Sequence, residues 1–272
     1  MLIAHISDTH ITAPGLTAYG KVDTVGNFTR CISYINKMAP RPDLVVVTGD
    51  ITYSGQREEV ETAGLLLSRL HMPWYVVPGN HDRRSTLSSL LDRQSGDTVF
   101  RTYGDCFDYL IEDRELCLIG LDSSTNKAPG GKISVLQADW LGECLAANRE
   151  RPTLLFLHHP PVKCGVLETD EDGFAGAKYL GEVVADFPCI LRILCGHIHL
   201  ASHVAWCGTV VTTAPSMGLQ LYLDLTMQLP SAFMVEDPGF YLHYYTPRGN
   251  LVSHAVFVGK TDHGPYLFDQ PR

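Results

Sequence analysis

Five short polar motifs, each placed directly after a short apolar run, constrain the fold of this chain more than any other feature of its sequence. The motifs are Asp8-Thr9-His10, Gly49-Asp50, Gly79-Asn80-His81-Asp82, His158-His159-Pro160-Pro161 and Gly196-His197-Ile198-His199. In α/β sheets, ligands bind in the crevice at the carboxyl ends of the strands. We therefore expect five loops from distant parts of the chain to meet at one edge of a sheet.

Short apolar runs, five of which precede the motifs, predict the strands of the fold. These runs are Leu2–Ile6, Leu44–Val47, Trp74–Val77, Leu116–Leu121, Thr153–Leu157 and Ile190–Leu194, and they have the continuous apolar character of buried strands. Other segments show helical spacing: Val25, Phe28, Ile32 and Ile35; Leu66, Leu67 and Leu70; and Leu136, Trp140, Leu141 and Cys144. Strands that alternate with helices predict an α/β sandwich with helices on its outer faces.

The character of the sequence changes after about residue 200. Val204–Val211 and Leu251–Val258 are predicted strands that complete the sandwich. Residues 216–245 are rich in Leu, Met, Phe and Tyr without a clear period, which fits either more core sheet or a cap or oligomer surface. We therefore predict a catalytic domain over residues 1–213 and a C-terminal cap or dimerisation segment over residues 214–272.

The charge of the chain argues against a polyanionic partner. The sequence carries a formal net charge of −9 and contains no run of Lys and Arg. A nucleic-acid polymer or an anionic membrane would require a basic surface, so neither is an expected partner. No segment approaches the roughly 18 consecutive apolar residues of a membrane span.

The eight cysteines favour a reducing compartment. None forms a C-x-x-C pair, and several lie inside apolar runs such as 189–191 and 193–195. Buried reduced thiols fit this pattern better than a disulfide framework does. Residues 1–7 lack the basic and apolar regions of a signal peptide. The sequence therefore predicts a cytoplasmic protein.

Together the motifs supply carboxylate, imidazole and amide oxygen, which borderline divalent metals bind when no thiolate takes part. The D-x-H pattern alone is common by chance, whereas Gly-Asn-His-Asp specifies four consecutive residues and is rare. The presence of all five motifs at predicted strand ends indicates a metal site rather than a set of structural histidines.

These motifs resemble those of the calcineurin-like metallophosphoesterase superfamily, whose pattern is D-x-H, GD, GNH[DE], a His before a loop, and GH-x-H. The likeness extends from Ile3 to about Thr213. It is nearest to the bacterial glycerophosphodiesterase and class III cyclic-nucleotide phosphodiesterase group, and Ala4–His10 and Tyr19-Gly20 are particularly like the glycerophosphodiesterases. The resemblance implies a four-layer αββα sandwich with a small C-terminal cap or oligomerisation segment, and a homo-oligomer of two or more chains.

The resemblance also implies two metal sites that share one carboxylate. The first would be formed by Asp8, His10, Asp50 and His199, and the second by Asp50, Asn80, His158 and His197. His158 is assigned as the ligand by analogy, which leaves His159 in a structural role. His81 would face the substrate phosphate, with a purely structural role as the alternative, and His81, Asp50 and Asn80 are the expected catalytic residues.

Such a site would catalyse phosphoester hydrolysis. Two metals about 3.5–4 Å apart lower the pKa of a shared water and bind the phosphoryl oxygens. The two carboxylates leave a pair of divalent cations with a net positive charge, which suits a small diester or monoester. Nitrogen and oxygen ligands suit iron, manganese, zinc and cobalt alike.

The expected function is cleavage of small phosphodiesters, such as glycerophosphodiesters or cyclic nucleotides, by a hydroxide held between the metals. A phosphomonoesterase, a nucleotide pyrophosphatase and a non-enzymatic metal-binding scaffold are the alternatives. A protein Ser/Thr phosphatase is disfavoured because the residues after Gly49-Asp50 lack the phosphate-binding Arg of the pattern GD-x-V-D-R-G. A DNA nuclease is disfavoured by the acidic charge.

Overall fold

Two β-sheets lie face to face at the centre of a computed structural model, which describes residues 1–91, 106–112, 115–125 and 128–259. The strands, numbered along the chain, are β1 (Leu2–Ile6), β2 (Leu44–Thr48), β3 (Trp74–Val77), β4 (Tyr109–Ile111), β5 (Cys117–Gly120), β6 (Gly131–Lys132), β7 (Thr153–Phe156), β8 (Phe174–Ala175), β9 (Ile190–Cys195), β10 (Ser202–Trp206), β11 (Thr209–Thr213), β12 (Leu219–Leu221), β13 (Phe233–Val235), β14 (Gly239–Tyr245) and β15 (Leu251–Phe257). The helices are α1 (Thr24–Lys37), α2 (Arg57–Leu67), α3 (Arg84–Leu91), α4 (Val135–Ala147), α5 (Leu167–Asp172) and α6 (Ala177–Asp186).

The order of strands in each sheet aligns the ends that carry the motifs. The first sheet has the order β15-β14-β1-β2-β3, in which β1, β2 and β3 are parallel. The second has the order β10-β11-β9-β7-β5-β4, in which β11, β9, β7 and β5 are parallel. Two small sheets pair β12 with β13 and β6 with β8.

The packing of these sheets gives four layers. One apolar core lies between the first sheet and the helices α1 to α3, and includes Phe28, Ile32, Leu67, Leu87 and Val45. A second lies between the other sheet and α4 and α6, and includes Trp140, Leu141, Leu180, Ile119 and Ile193. The third fills the space between the sheets, and includes Ile3, Val46, Leu118, Leu154 and Phe156. The predicted αββα sandwich is therefore confirmed.

Side chains at the helix ends set where the helices begin. Asp23 accepts a hydrogen bond from the backbone N–H of Gly26 at 2.8 Å and so caps α1. Ser134 and Gln137 form a reciprocal capping box at the start of α4. Each cap satisfies backbone donors that the first turn of a helix leaves without partners.

Two expectations about individual elements are wrong. The run Val204–Val211 is not one strand but parts of β10 and β11, which form a hairpin with a turn at Cys207 and Gly208. Leu136, expected on the buried face of α4, is exposed, because the buried stripe of that helix runs through Trp140, Leu141 and Cys144.

A row of hydrogen-bonded polar side chains crosses four strands of the first sheet within the space between the sheets. Ser253 Oγ lies 2.7 Å from His243 Nδ1, and His243 Nε2 lies 3.3 Å from His5 Nδ1. His5 Nε2 lies 2.9 Å from Thr48 Oγ1. Burial lowers the pKa of His5 to about 3, so its ring is neutral. The row links the C-terminal strands β14 and β15 to β2.

The C-terminal strands extend the first sheet beyond β1. β14 pairs antiparallel with β1, and β15 pairs antiparallel with β14. Among the helices of the described residues, none has the length and apolar character needed to cross a membrane.

Candidate metal centre

The five motifs meet at one rim of the sandwich, where main-chain hydrogen bonds join their loops. The N–H of Asp8 donates to Gly49 O at 3.1 Å, and the N–H of His10 donates to Asp50 O at 2.9 Å. The N–H of Gly196 donates to His158 O at 2.9 Å. The first two bonds join loops of the first sheet, and the third joins loops of the second sheet. Between the sheets, the N–H of His197 donates to Asp8 Oδ2 at 3.0 Å.

The backbone of the rim is unusual because most of the candidate ligands have left-handed conformations. Their φ values are 52° for Asp8, 40° for His10, 47° for Asp50, 72° for His197 and 54° for His199. A non-glycine residue in this region costs about 1–3 kcal/mol and is usually maintained by surrounding contacts at a functional site. The conformation turns each loop sharply after its strand and directs the side chain of the ligand towards the common rim.

Glycines at two motifs allow close approach between loops. A Cβ atom at Gly79 would overlap the carboxylate and the backbone nitrogen of Asp50. A Cβ atom at Gly196 would overlap the side chains of Ser7 and Asp8. Both positions therefore require the absence of a side chain.

Asp8, His10, Asp50 and His199 form one cluster, with ligand atoms within 4.8 Å of one another. His199 Nε2 lies 3.3 Å from Asp8 Oδ1 and 3.0 Å from His10 Nε2. His10 Nε2 lies 3.7 Å from Asp50 Oδ2. These are the four residues that the family pattern implies for the first metal.

A second cluster lies on the other side of Asp50. His158 Nε2 is 3.5 Å from Asp50 Oδ1 and 3.1 Å from Asn80 Oδ1. The ring of His197 lies 5.1 Å from that of His158. One carboxylate oxygen of Asp50 thus faces His10 and the other faces His158, which is the geometry of a bridging ligand.

His159 also has a ring nitrogen within 4.8 Å of those of His158 and His197, but both of its ring nitrogens have other partners. Its Nδ1 lies 2.9 Å from Ser123 Oγ, and its Nε2 lies 3.0 Å from Pro129 O. This arrangement leaves the ring no free nitrogen for a metal and favours His158 as the ligand of the pair.

The hydrogen bonds of the imidazoles fit metal binding. His158 Nδ1–H donates to Thr48 O and His199 Nδ1–H donates to Leu219 O, each at 2.6 Å. Such bonds fix the tautomer and leave the Nε2 lone pair directed into the cluster, as is usual for metal-binding histidines. With carboxylate and amide oxygens beside them, the residues present fit two divalent cations.

For four of the candidate ligands, the electrostatics of the site favour the protonation states that bind cations. Burial would raise the pKa of Asp8, but the adjacent His199 outweighs it and holds this pKa at about 2. Burial also opposes ionisation of Asp50, yet His158 holds its pKa well below the ordinary value. Burial lowers the pKa of His10 and of His197 to about 3, so both rings are neutral and can donate a lone pair.

The pKa of His158 shifts in the opposite direction. Burial would lower it, but the charge of Asp50 outweighs burial and raises it to about 9. A proton on this ring would occupy the side that faces Asp50. The rise therefore marks a surplus of negative charge that a cation would neutralise.

His81 lies at the mouth of the site, outside both clusters. Its Nδ1 lies 2.8 Å from Tyr53 O, its Nε2 lies 4.0 Å from Asp50 Oδ2, and 32% of its side chain is exposed. The hydrogen bond to Tyr53 O therefore fixes the orientation of the ring, and Nε2 faces the open space in front of Asp50.

The Asp82 carboxylate joins the loops of the second and third motifs. It accepts hydrogen bonds from the N–H groups of Ile51 at 3.1 Å, Thr52 at 2.9 Å and Gly79 at 2.9 Å. Burial raises the pKa of this carboxyl to about 6. Asp82 thus positions Asp50 and Asn80 without contacting the centre itself.

The structure adds residues that the motifs do not identify. Arg84 forms an ion pair with Asp122 at 2.6 Å beside the site, and Glu168, Asp172 and Phe233 line its walls. The two arginines that follow Gly-Asn-His-Asp were the available signal for Arg84, whereas no pattern marks the other residues. Tyr19, which lies outside the motifs, also lines the site. His243 is fully buried in the first sheet and does not line it.

Carboxylate and imidazole clusters at the rim of an αββα sandwich define a metal-dependent phosphoesterase. The calcineurin-like phosphoesterase family model matches residues 1–201. The chain belongs to this family.

Several named proteins are similar over most of the chain. It is 36% identical over 269 residues to a probable glycerophosphodiester phosphodiesterase, GpdQ, of Arcobacter nitrofigilis, with 98% of this chain and 97% of that protein covered. It is 32% identical to the glycerophosphodiester phosphodiesterase GpdQ of Enterobacter lignolyticus, with 99% and 95% covered. It is 30% identical to the 3',5'-cyclic adenosine monophosphate phosphodiesterase CpdA of Escherichia coli, with 80% and 76% covered.

A solved structure supports the fold. The dimetal phosphatase from Danio rerio superposes with a TM-score of 0.62 at 15% sequence identity, with 95% of this chain and 99% of that chain covered. At this identity the likeness concerns the fold alone.

Proposed function

We propose that this chain hydrolyses small phosphodiesters, with glycerophosphodiesters and cyclic nucleotides as the leading substrates. The observation that carries the proposal is the position of Asp50, whose two carboxylate oxygens face two separate ligand clusters. The similar proteins named for glycerophosphodiester and cyclic adenosine monophosphate hydrolysis support the substrate class.

In the proposed assignment, Asp8, His10, Asp50 and His199 hold one divalent cation, and Asp50, Asn80, His158 and His197 hold the other. Two such cations supply a water of lowered pKa and polarise the phosphoryl oxygens. Iron, manganese, zinc and cobalt all fit this set of nitrogen and oxygen ligands.

His81 performs the proton transfer in this proposal. The carbonyl of Tyr53 accepts its Nδ1–H at 2.8 Å and fixes the orientation of the ring. The Nε2–H of the ring would then donate its proton to the leaving alcohol, which is the usual task of a general acid placed at the mouth of a site. Asp82 maintains the spacing of Asp50 and Asn80 through its bonds to both loops.

The proposal extends to the organisation of the chain. Residues 1–213 would form the catalytic domain, and residues 214–272 a cap and oligomer surface that also adds strands to the first sheet. Support comes from exposed apolar side chains in that segment, including Tyr222, Leu223 and Leu225. A cytoplasmic location is also proposed, because all eight cysteines lie within the described residues and none forms a disulfide.

The test is steady-state hydrolysis of bis(p-nitrophenyl) phosphate and p-nitrophenyl phosphate by the metal-stripped protein and after reloading with manganese. We expect metal-dependent turnover that favours the diester. Asn80→Ala should lose most of this turnover, and His81→Ala should lower the turnover rate by about a hundredfold to ten-thousandfold. Asn250→Ala is the matched control, since Asn250 is exposed in the turn between β14 and β15.

Each contrary result assigns a different function. Preference for the monoester would make the protein a phosphomonoesterase. Hydrolysis of a dinucleoside pyrophosphate in place of either ester would make it a nucleotide pyrophosphatase. No turnover with any metal would indicate a metal-binding scaffold.

A further inference from the structure

Two clefts of different character open onto the candidate metal centre. Asn80, His81 and Pro129 line both of them and so form the boundary between them. The first, with a volume of about 850 Å³, contains Arg83 and Arg84, and we name it the arginine cleft. The second, with a volume of about 450 Å³, is lined by the centre itself and by apolar and acidic side chains, and we name it the apolar cleft.

The two arginines of the arginine cleft differ in their partners. Arg84 Nε donates to Asp122 Oδ2 at 2.6 Å, and Arg84 Nη2 donates to Ser124 O at 2.8 Å. Arg83 is exposed, and its guanidinium makes no hydrogen bond or ion pair with any residue that the structure describes. Among the described residues, Arg84 is therefore neutralised, whereas the charge of Arg83 has no partner and faces the cleft.

Nothing else in the described lining of the arginine cleft cancels this charge. The only carboxylate there is that of Asp82, and it accepts main-chain N–H groups of Ile51, Thr52 and Gly79. The remaining polar lining consists largely of hydroxyl groups, such as those of Tyr53, Ser54 and Ser85.

The position of Arg83 depends on a glycine. Gly55 has a φ of 72°, and a Cβ atom there would meet Cγ of Arg83 at 2.5 Å. The missing side chain at position 55 leaves the space through which the stem of Arg83 passes.

The apolar cleft has the opposite charge. Glu168 and Asp172 lie in its wall, together with Tyr19, Leu221 and Phe233, and its described lining contains no Lys or Arg. The rings of Tyr19 and Phe233 lie 5.4 Å apart and form a continuous aromatic surface. An anionic group would be repelled from this side and attracted to the other.

We propose that Arg83 binds an anionic substituent on one of the two alcohols of the diester. The substrate class is then an asymmetric phosphodiester with a second negative charge, a carboxylate or a phosphate, on the alcohol that lies in the arginine cleft. The other alcohol, neutral or apolar, lies in the apolar cleft. The inference rests on the proposed function, because the phosphodiester is placed at the centre between the clefts.

The chemistry of the guanidinium suits this role. Its planar fork of N–H groups forms two parallel hydrogen bonds with a carboxylate or a phosphate. Hydrogen bonds between charged groups are stronger than neutral ones, so the expected gain in affinity is about tenfold. The gain should fall as salt is added, because Arg83 is exposed.

The test is the binding of two unreactive ligands to the manganese-loaded protein, measured by titration calorimetry. The ligands are (4-carboxybutyl)methylphosphinic acid and (4-carbamoylbutyl)methylphosphinic acid, in which carbon replaces both ester oxygens so that no ester bond can be hydrolysed. The two ligands have nearly the same shape and differ in charge. We expect the carboxylate ligand to bind about tenfold more tightly. Arg83→Gln should abolish the preference and Arg83→Lys should keep part of it.

Arg41→Gln is the matched control. Arg41 is also exposed and lies before β2, at the end of the sheet opposite to Asp50, so this variant should retain the full preference. Equal binding of the two ligands to the unmodified protein would overturn the inference. Full preference in Arg83→Gln would overturn it as well.

Turnover distinguishes failure of this inference from failure of the proposed function. Hydrolysis of bis(p-nitrophenyl) phosphate tests the function and does not depend on a second anion. If no diester is hydrolysed, the proposed function is wrong, and the ligand pair still shows whether Arg83 recognises an anion. If diesters are hydrolysed but the carboxylate gives no advantage, Arg83 does not select the substrate.

Discussion

Two imidazoles at the rim, those of His158 and His199, are each oriented by a main-chain carbonyl from another part of the chain. Thr48 O positions His158, and Leu219 O positions His199. The ring nitrogen that faces the centre is therefore set before any cation binds, and little rotation is needed on binding. Such preorganisation strengthens a metal site, and loss of an orienting partner commonly lowers metal affinity by about tenfold or more.

The adjacent histidines of the fourth motif provide a direct test of the ligand assignment. We expect His158→Asn to reduce the bound metal from two ions to about one, because it removes a nitrogen from the second cluster. His159→Asn should retain both ions, since both ring nitrogens of His159 already bind protein groups. Metal content after dialysis, measured by mass spectrometry, distinguishes them, and the reverse pattern would move the ligand to His159.

The Asp108 carboxyl gives a prediction for the dependence of stability on pH. It is fully buried, and its Oδ1 accepts hydrogen bonds from Asp122 N at 2.7 Å and Gln137 Nε2 at 3.1 Å. Its Oδ2 has no partner among the described residues. Burial raises the pKa of this carboxyl to about 7.

Because the folded pKa lies above that of the unfolded chain, the folded state binds the additional proton. Stability then falls as the pH rises from about 4 to 7, and the full penalty remains above pH 7. Asp108→Asn removes this dependence. The free energy of unfolding of Asp108→Asn minus that of the unmodified protein should be larger at pH 8 than at pH 5, by roughly 2–3 kcal/mol.

Urea unfolding at the two pH values measures this difference. Asp139→Asn is the control, because Asp139 is exposed on α4. An equal change for Asp108→Asn and Asp139→Asn would show that the Asp108 carboxyl is not the source.

The strands of both sheets end where the motifs begin, and the glycines at these ends are required by close packing. We expect Gly79→Ala to destabilise the protein by about 2 kcal/mol or more and to lower metal content, because its Cβ would overlap Asp50. Gly142→Ala is the matched control in α4, where a Cβ atom meets nothing within 4 Å. It should stabilise the helix by up to about 1 kcal/mol.

Thermal unfolding and metal content measure both variants. A Gly79→Ala protein that keeps the melting temperature and both metals would show that the loop between β3 and α3 can shift without cost.

The strands and the outer helices could be predicted from the sequence because each buried strand is a short continuous apolar run. The hairpin of β10 and β11 could not. Its turn has positive φ values of 46° at Cys207 and 85° at Gly208. Two-residue hairpin turns of this kind usually contain Asn-Gly, Asp-Gly or Gly-Gly, so Cys-Gly gave no signal.

The candidate ligands could be proposed from sequence because metal binding depends on the identity of side chains. The carbonyl groups that orient them could not, since every residue has one and only the fold selects it. Arg83 and Arg84 are likewise equivalent in the sequence. The structure distinguishes them by the ion pair of Arg84 with Asp122. The assignment of the ligands to two metals stays a prediction until metal content is measured.

The sandwich as a whole depends on both ends of the chain, because β14 lies against β1 and the polar row runs from Ser253 to Thr48. Exposed apolar side chains concentrate in the segment between β12 and β14. These are Tyr222, Leu223, Leu225, Leu229, Met234 and Val235. A concentration of this kind commonly marks a contact surface between chains.

We expect Leu225→Asp to convert a homo-oligomer to a monomer with little change in melting temperature. Leu225 is 72% exposed within one chain, so a charge there costs little except at an interface. Leu65→Asp is the control, with Leu65 68% exposed on α2. Light scattering after size exclusion measures the mass. If the unmodified protein has the mass of a monomer, the proposed oligomer is wrong.

The left-handed backbone at the rim also sets cation binding against the stability of the metal-free protein. Asp8, His10, Asp50, His197 and His199 each hold a conformation that glycine would adopt more easily. Glycine at any of these positions would therefore relax the backbone while it removes a ligand. The rim thus accepts a less stable metal-free state in exchange for its ligands, which is the usual relation between stability and activity at a functional site.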